Sequence, residues 1–185
     1  MIVLSSGSPR RKSLLERIGV KYIEYTPCID EGRAEETPEA CTMRLAKEKA
    51  IKGAEVYPED VIISADTVVV IDGEILGKPV DREDAVEMLR KLSGRTHEVI
   101  TGICVKGRKI EVRAVHTLVK FRALTEAEIA SYVSTGESDD KAGGYGVQGK
   151  GSLLIESITG DYYNVVGLPL STLYDMLQSE GINLL

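Results

Sequence analysis

The tightest constraint on this chain is a carboxylate set inside a strand. Val61-Ile62-Ile63 and Val68-Val69-Val70-Ile71 are β-branched runs that read as strand, and Ser64-Ala65-Asp66-Thr67 interrupts them. A central strand is buried, and an unpaired carboxylate there is expensive. Asp66 is therefore expected to be paired, hydrogen-bonded or bound to a metal. One account is structural: a strand bend whose backbone N–H groups satisfy the carboxylate. The other is functional: a group that ligates a hard cation or takes a proton from an attacking water. Four small or polar residues breaking an otherwise strong strand favour function, and Thr67 adds a hydroxyl beside the acid.

Helical and strand patterns alternate around this segment. Ile2-Val3-Leu4 reads as a strand, and Ser8-Pro9 opens a helix that Gly19 ends. A strand over 21–25 and an acidic loop over 30–39 follow. Thr37-Pro38 starts a helix expected to reach about Lys52. Asp72-Gly73 marks a hairpin turn, and Asp81 caps a helix stopped at Ser93-Gly94. Long strands over 96–105 and 110–121, a capping box at Thr125 and Glu128, a glycine-rich stretch over 142–151, a strand over 152–158 and a helix opened by Pro169 complete the chain. The fold class is α/β: a mixed sheet flanked by helices, in one domain over 1–185. Strand order is not legible.

Composition narrows the function classes. The formal net charge of −6 argues against a general nucleic-acid coat, and aromatics at 5% with no Trp argue against base-stacking platforms. No apolar run approaches the ~18 residues that span a bilayer. Met1-Ile2-Val3-Leu4-Ser5 lacks a basic region before a long apolar stretch, so no signal peptide is expected. Cys28, Cys41 and Cys104 match no zinc or redox spacing and are expected to be reduced, mostly buried thiols. A cytoplasmic protein without nucleic-acid or membrane partners is expected.

Cations supply the second signal. Arg10, Arg11 and Lys12 crowd the first turn of the opening helix, the wrong charge for the positive end of its dipole, at a cost of about 0.3–1 kcal/mol each. A polyphosphate at that helix start removes the conflict; pairing of the arginines with nearby acids is the alternative. The segment lacks the Walker pattern. Lys49 falls on the core-facing stripe with Leu45, Ala46 and Ala50, either snorkelling or reaching a site. Lys78, in Leu76-Gly77-Lys78-Pro79, is an exposed turn lysine or a phosphate ligand. Together with the arginines, these lysines can neutralise a triphosphate. Gln148, among Gly143, Gly144, Gly146 and Gly149, either tips a flexible turn or reads a pyrimidine edge, since an amide both donates and accepts. Glu31, beside Asp30, is a candidate second carboxylate. His97 and His116 lack metal spacing, and His97 is expected to be structural.

These motifs in this order resemble the Maf family of nucleotide pyrophosphatases. The likeness runs through Ser6-Gly7-Ser8-Pro9-Arg10-Arg11, Arg44-Leu45-Ala46 with Lys49-Ala50, and Ser64-Ala65-Asp66-Thr67-Val68-Val69. It continues through Gly77-Lys78-Pro79, Leu92-Ser93-Gly94, Asp140-Lys141-Ala142-Gly143, and the run from Gly160-Asp161 to Leu168-Pro169. The resemblance implies an elongated mixed sheet, two lobes with a central cleft, and hydrolysis between the α- and β-phosphates with a divalent cation, Mg²⁺ or Mn²⁺. By matching position it implies Asp66 as proton acceptor, with Lys49 and Lys78 catalytic. Ser8, Arg10, Arg11, Glu31, Thr67 and Gln148 are implied on the substrate, with Arg11, Thr67 and Gln148 setting base preference and Asp66 and Glu31 as metal ligands. Gly-Tyr-Gly-Val-Gln-Gly at 144–149 is similar to the branch acting on dTTP and UTP. The resemblance leaves a homodimer open, and it brings a rival from another class: a nucleotide-binding regulator of septum formation and cell division with little catalysis.

Overall fold

The structure, a computed structural model, describes residues 1–30, 32 and 35–185. Among these, the strands are β1 (Ile2–Ser5), β2 (Ile23–Tyr25), β3 (Val61–Ile71), β4 (Glu74–Leu76), β5 (Thr96–Lys106), β6 (Ile110–Phe121) and β7 (Ile155–Thr159). The helices are α1 (Pro9–Arg17), α2 (Pro38–Val56), α3 (Arg82–Leu92), α4 (Glu126–Val133), α5 (Tyr162–Val166) and α6 (Leu170–Ser179). The strands form one mixed sheet in the order β2-β1-β3-β5-β6-β7, with β4 on β3. β1 runs parallel to both β2 and β3, whereas β4 on β3 and β7 on β6 are antiparallel.

The chain forms two compact units. Unit 1 is Met1–Asp66, Thr101–Val115 and Gly167–Leu185; unit 2 is Thr67–Ile100 and His116–Val166. In unit 1, α2 buries Thr42, Leu45, Ala46, Lys49, Ala50 and Gly53, the spacing of a single helix face. Small residues let the helix lie close to the sheet. A Cβ on Gly53 would meet Ile62 Cγ2 at 2.8 Å, and one on Gly102 would overlap the Thr42 backbone. Val3, Ala46, Ala50, Ile62 and Cys104 pack into this core, and burial pushes the Cys104 thiol up to about 12. Cys41 is also buried, and Cys28 is exposed.

Unit 2 packs α3 and α4 around Leu89, Leu92, Val99, Val119, Phe121, Ile129 and Tyr132. The rings of His97, Phe121 and Tyr145 meet edge to face, at centroid distances of 4.7–5.4 Å. His97 Nε2 lies 2.7 Å from the Tyr145 hydroxyl, and burial lowers its pKa to about 4. His97 is structural, as its sequence setting suggests.

Several local expectations need revision. β3 is one continuous strand of 11 residues, with no break at Ser64–Thr67. Ser64 and Asp66 find partners on α2, so no bend is required. α2 extends past Lys52 to Val56, because Gly53 is the residue that fits against Ile62. Residues Lys150–Leu154 form a 3-10 turn, and the strand expected from Ser152 begins at Ile155. α5 was not expected; the Asp161 carboxylate initiates it by accepting from the Tyr163 and Asn164 N–H groups. The turn at Asp72-Gly73 is as read, with φ of +54° and +77° joining β3 to β4.

Candidate active site

The candidates in unit 1 cluster where β3 faces α2. Side chains alternate along a strand, so Ile62, Ser64 and Asp66 share one face. Each meets the helix: Ile62 abuts Gly53, Ser64 Oγ donates to the Ala46 carbonyl at 2.6 Å, and Asp66 Oδ1 accepts from Lys49 Nζ at 2.7 Å. Helical side chains lean toward the N-terminus, which carries the Lys49 ammonium to the carboxylate. The pair is shielded but reachable, with side-chain exposures of 11% and 14%. Lys49 thus reaches Asp66 rather than snorkelling, and Asp66 is satisfied by a cation rather than by a strand bend.

Neighbouring groups hold this pair in place. Leu4 is in register with Ile63, so Ser5 falls level with Ser64. Ser5 Oγ donates to the carbonyl of Lys49 itself at 2.6 Å. Neither serine stands out in sequence, because each reads as one more small residue in a strand. From Ser5 the chain turns through Ser6 into α1. Arg11, buried at 8% exposure, donates from Nη1 to Ser6 Oγ at 2.9 Å and from Nε to the Gly167 carbonyl at 2.7 Å. Arg11 is therefore anchored by a hydroxyl and a carbonyl, while Lys12 pairs with exposed Glu24. Arg10 is half-buried. Ser8 occupies the N-cap position without a side-chain capping bond; its N–H instead bonds Ser6 Oγ at 3.3 Å. α1 has no acid in its first turn, so its start keeps its positive potential. Unit 1 joins Arg11, Ser6, Ser5, Lys49 and Asp66 in one contiguous series beyond the C-terminal end of β1, beside the middle of β3.

The remaining candidates are in unit 2. Thr67 follows Asp66 and is half-buried. Lys78 is exposed on the turn after β4, and that turn is tied down where the Gly77 carbonyl accepts from the Gly143 N–H at 2.9 Å. Gly143 has φ +69° and lies against the Val69 side chain, where a Cβ would sit 3.0 Å from a methyl. Gln148 is exposed on the turn between the two 3-10 segments. Glu31 lies outside the described residues.

Hard cations take oxygen ligands, and Mg²⁺ is commonly held by one or two carboxylates plus substrate phosphates. Asp66, partly exposed, suits that role. Among the described residues no group of three His, Cys, Asp or Glu forms a self-contained cage. The donor set fits a cation carried in with phosphates.

Fold and site together define an α/β protein with a mixed sheet and a lysine-paired carboxylate on a central strand. The Staphylococcus aureus Ham1 protein has this fold: its structure matches 97% of this chain and 98% of its own, with a TM-score of 0.52 at 16% identity. The chain belongs to the Maf family, whose model, described as Maf-like protein, matches residues 1–180. Relatives named dTTP/UTP pyrophosphatase include that of Clostridioides difficile, 50% identical over 99% of this chain and 97% of its own length. That of Dictyoglomus thermophilum is 49% identical over 100% and 98%, and that of Pyrococcus furiosus 47% over 96% and 94%.

Proposed function

We propose that this chain is a nucleoside triphosphate pyrophosphatase, hydrolysing dTTP and UTP to the monophosphate and pyrophosphate. Near full-length identity to several relatives carrying that name supports the substrate class. The observation that carries the chemistry is the Lys49–Asp66 pair at 2.7 Å. Lys49 takes up one carboxylate oxygen, Oδ1, and so orients the second. Water attacks the α-phosphorus, Asp66 accepts its proton, and the bond from the α-phosphorus to the bridging oxygen breaks with pyrophosphate leaving. Arg10, Arg11 and Lys78 take the charge of the phosphates, with Ser8 at the helix start. Thr67 and Gln148 face the base, where the amide donates and accepts along a pyrimidine edge. A Mg²⁺ or Mn²⁺ ion, which Asp66 or Glu31 would hold together with the phosphates, would supply charge neutralisation.

The setting is cytoplasmic, consistent with the lack of any described helix long and apolar enough to cross a membrane. The test is pyrophosphate release from a panel of nucleoside triphosphates, with and without Mg²⁺ or Mn²⁺. Metal-dependent release, fastest from dTTP and UTP, is expected. Tight nucleotide binding without turnover would replace the hydrolase with a nucleotide-binding regulator.

A further inference from the structure

The turn that carries Gln148 is wrapped around a carboxylate. Glu137 follows α4, and its Oε2 accepts from the Lys150 N–H at 2.8 Å while Oε1 accepts from the Gly151 N–H at 3.0 Å. The Tyr132 hydroxyl donates to the same Oε1 at 3.1 Å and accepts from the Gly146 N–H at 3.0 Å. Backbone groups on both sides of Gln148 thus converge on one carboxylate and one phenol. The packing leaves no slack. A Cβ on Gly149 would overlap the Glu137 carboxylate, and one on Gly151 would come within 2.9 Å of the Tyr132 hydroxyl and overlap the Gly146 carbonyl. The neighbouring Lys141 ammonium donates to the Glu137 carbonyl at 2.7 Å. Burial raises the Glu137 pKa, but the Gly151 and Lys150 N–H groups outweigh it, so the group is held below the usual carboxylate range and stays ionised. Gln148 itself is exposed, so its direction is set by this backbone rather than by packing of its own side chain.

We propose that Glu137, assisted by Tyr132, is the positioning residue for Gln148, and that it sets base preference by fixing the Gly146–Gly151 turn. The proposal rests on the reading of Gln148 as the residue facing the base. Hydrogen bonds to a charged acceptor are stronger than those between neutral groups, and three of them on one carboxylate hold a glycine-rich turn in one conformation. Removing the charge lets the turn sample others, and the amide loses its aim without any change at Asp66 or Lys49. The cost therefore falls on binding and selectivity rather than on the chemical step.

The experiment compares the full-length wild type with Glu137→Gln, Gln148→Ala and the double variant, using UTP and CTP with Mg²⁺. Glu137→Gln is expected to raise KM for UTP about tenfold with kcat within about twofold, and to narrow the preference for UTP over CTP. On the Gln148→Ala background it should add nothing further, because both changes remove one function. Unchanged KM and preference, an equal loss of kcat with both nucleotides, or full additivity with Gln148→Ala would each overturn the proposal. Should Glu137→Gln fail to fold, Tyr132→Phe keeps the ring and removes the hydroxyl. A smaller shift in the same parameters is then expected, and no shift counts against the proposal. A wild type that releases no pyrophosphate from UTP defeats the hydrolase reading instead. The present inference is then decided by UTP affinity, measured by calorimetry on the same variants.

Discussion

The two compact units hold their polar side chains in opposite ways. In unit 1, Asp66, Lys49 and Arg11 sit on a strand and two helices, shielded from solvent and each locked by a named partner. In unit 2, Lys78 and Gln148 stand exposed on turns, and the backbone beneath them is fastened by Gly143 and Glu137. Groups on regular elements are placed by packing, whereas groups on turns are placed by hydrogen bonds to the turn. In the proposed function this contrast matches a division of labour. Proton transfer tolerates little displacement and is assigned to the rigid pair. Base reading is assigned to the turn.

The contrast can be broken most directly at Asp66. Asp66→Asn is expected to lower kcat for UTP by about 10³ or more while circular dichroism stays native, since a general base contributes about 10²–10⁴. Retained turnover would remove Asp66 from the mechanism. Lys49→Met should follow. It leaves the carboxylate without its cation, so both kcat and stability fall, the latter by about 3 kcal/mol at most given the pair's partial exposure. Urea denaturation alongside UTP kinetics checks both.

A third prediction separates the units by pH. Burial depresses the His97 pKa from 6.5 to about 4. Between those values the unfolded chain binds a proton that the folded chain refuses, so stability present above pH 6.5 is lost as pH falls toward 4. The loss is roughly 3 kcal/mol for this single group. Hydrogen exchange across that range should show α3, α4 and Tyr145 losing protection before β1 and α2. A His97→Gln variant, which has nothing to titrate, should flatten the dependence; an unchanged profile would trace it to other groups. The smallest effect is expected at Gln148. Gln148→Ala should raise KM for UTP about tenfold, leave kcat nearly intact and leave thermal stability unchanged, as for an exposed side chain that holds nothing else in place. A large fall in kcat would move Gln148 into the chemical step.

Much of this was legible in the sequence, and the failures share a cause. Periodicity and capping residues located α1, α3, α4 and α6 and the long strands β5 and β6, because those signals are local. Asp66 was conspicuous as a charge in an apolar run. Lys49 was conspicuous as a charge on an apolar helix face, but nothing local says that the two meet across 17 positions of chain. The apparent interruption of β3 at Ser64–Thr67 has the same origin, since the partners that make Ser64 and Asp66 acceptable in a straight strand lie on α2. Glu137 carries no local signal of its own: a loop acid looks solvated until the turn 13 residues on folds over it. Its one sequence trace is the density of glycines that follows, which signals close approach without saying to what.

The continuity of β3 carries a consequence for how such a chain can vary in length. Neighbouring side chains point to opposite faces, so one residue inserted or deleted between Val61 and Ala65 would turn Asp66 away from α2 and bring Ala65 or Thr67 to face the lysine in its place. Substitution along this strand can be gradual, but a frameshift of one position cannot. Changes in length are absorbed instead at tips such as Asp72-Gly73, where an added residue displaces only the turn itself.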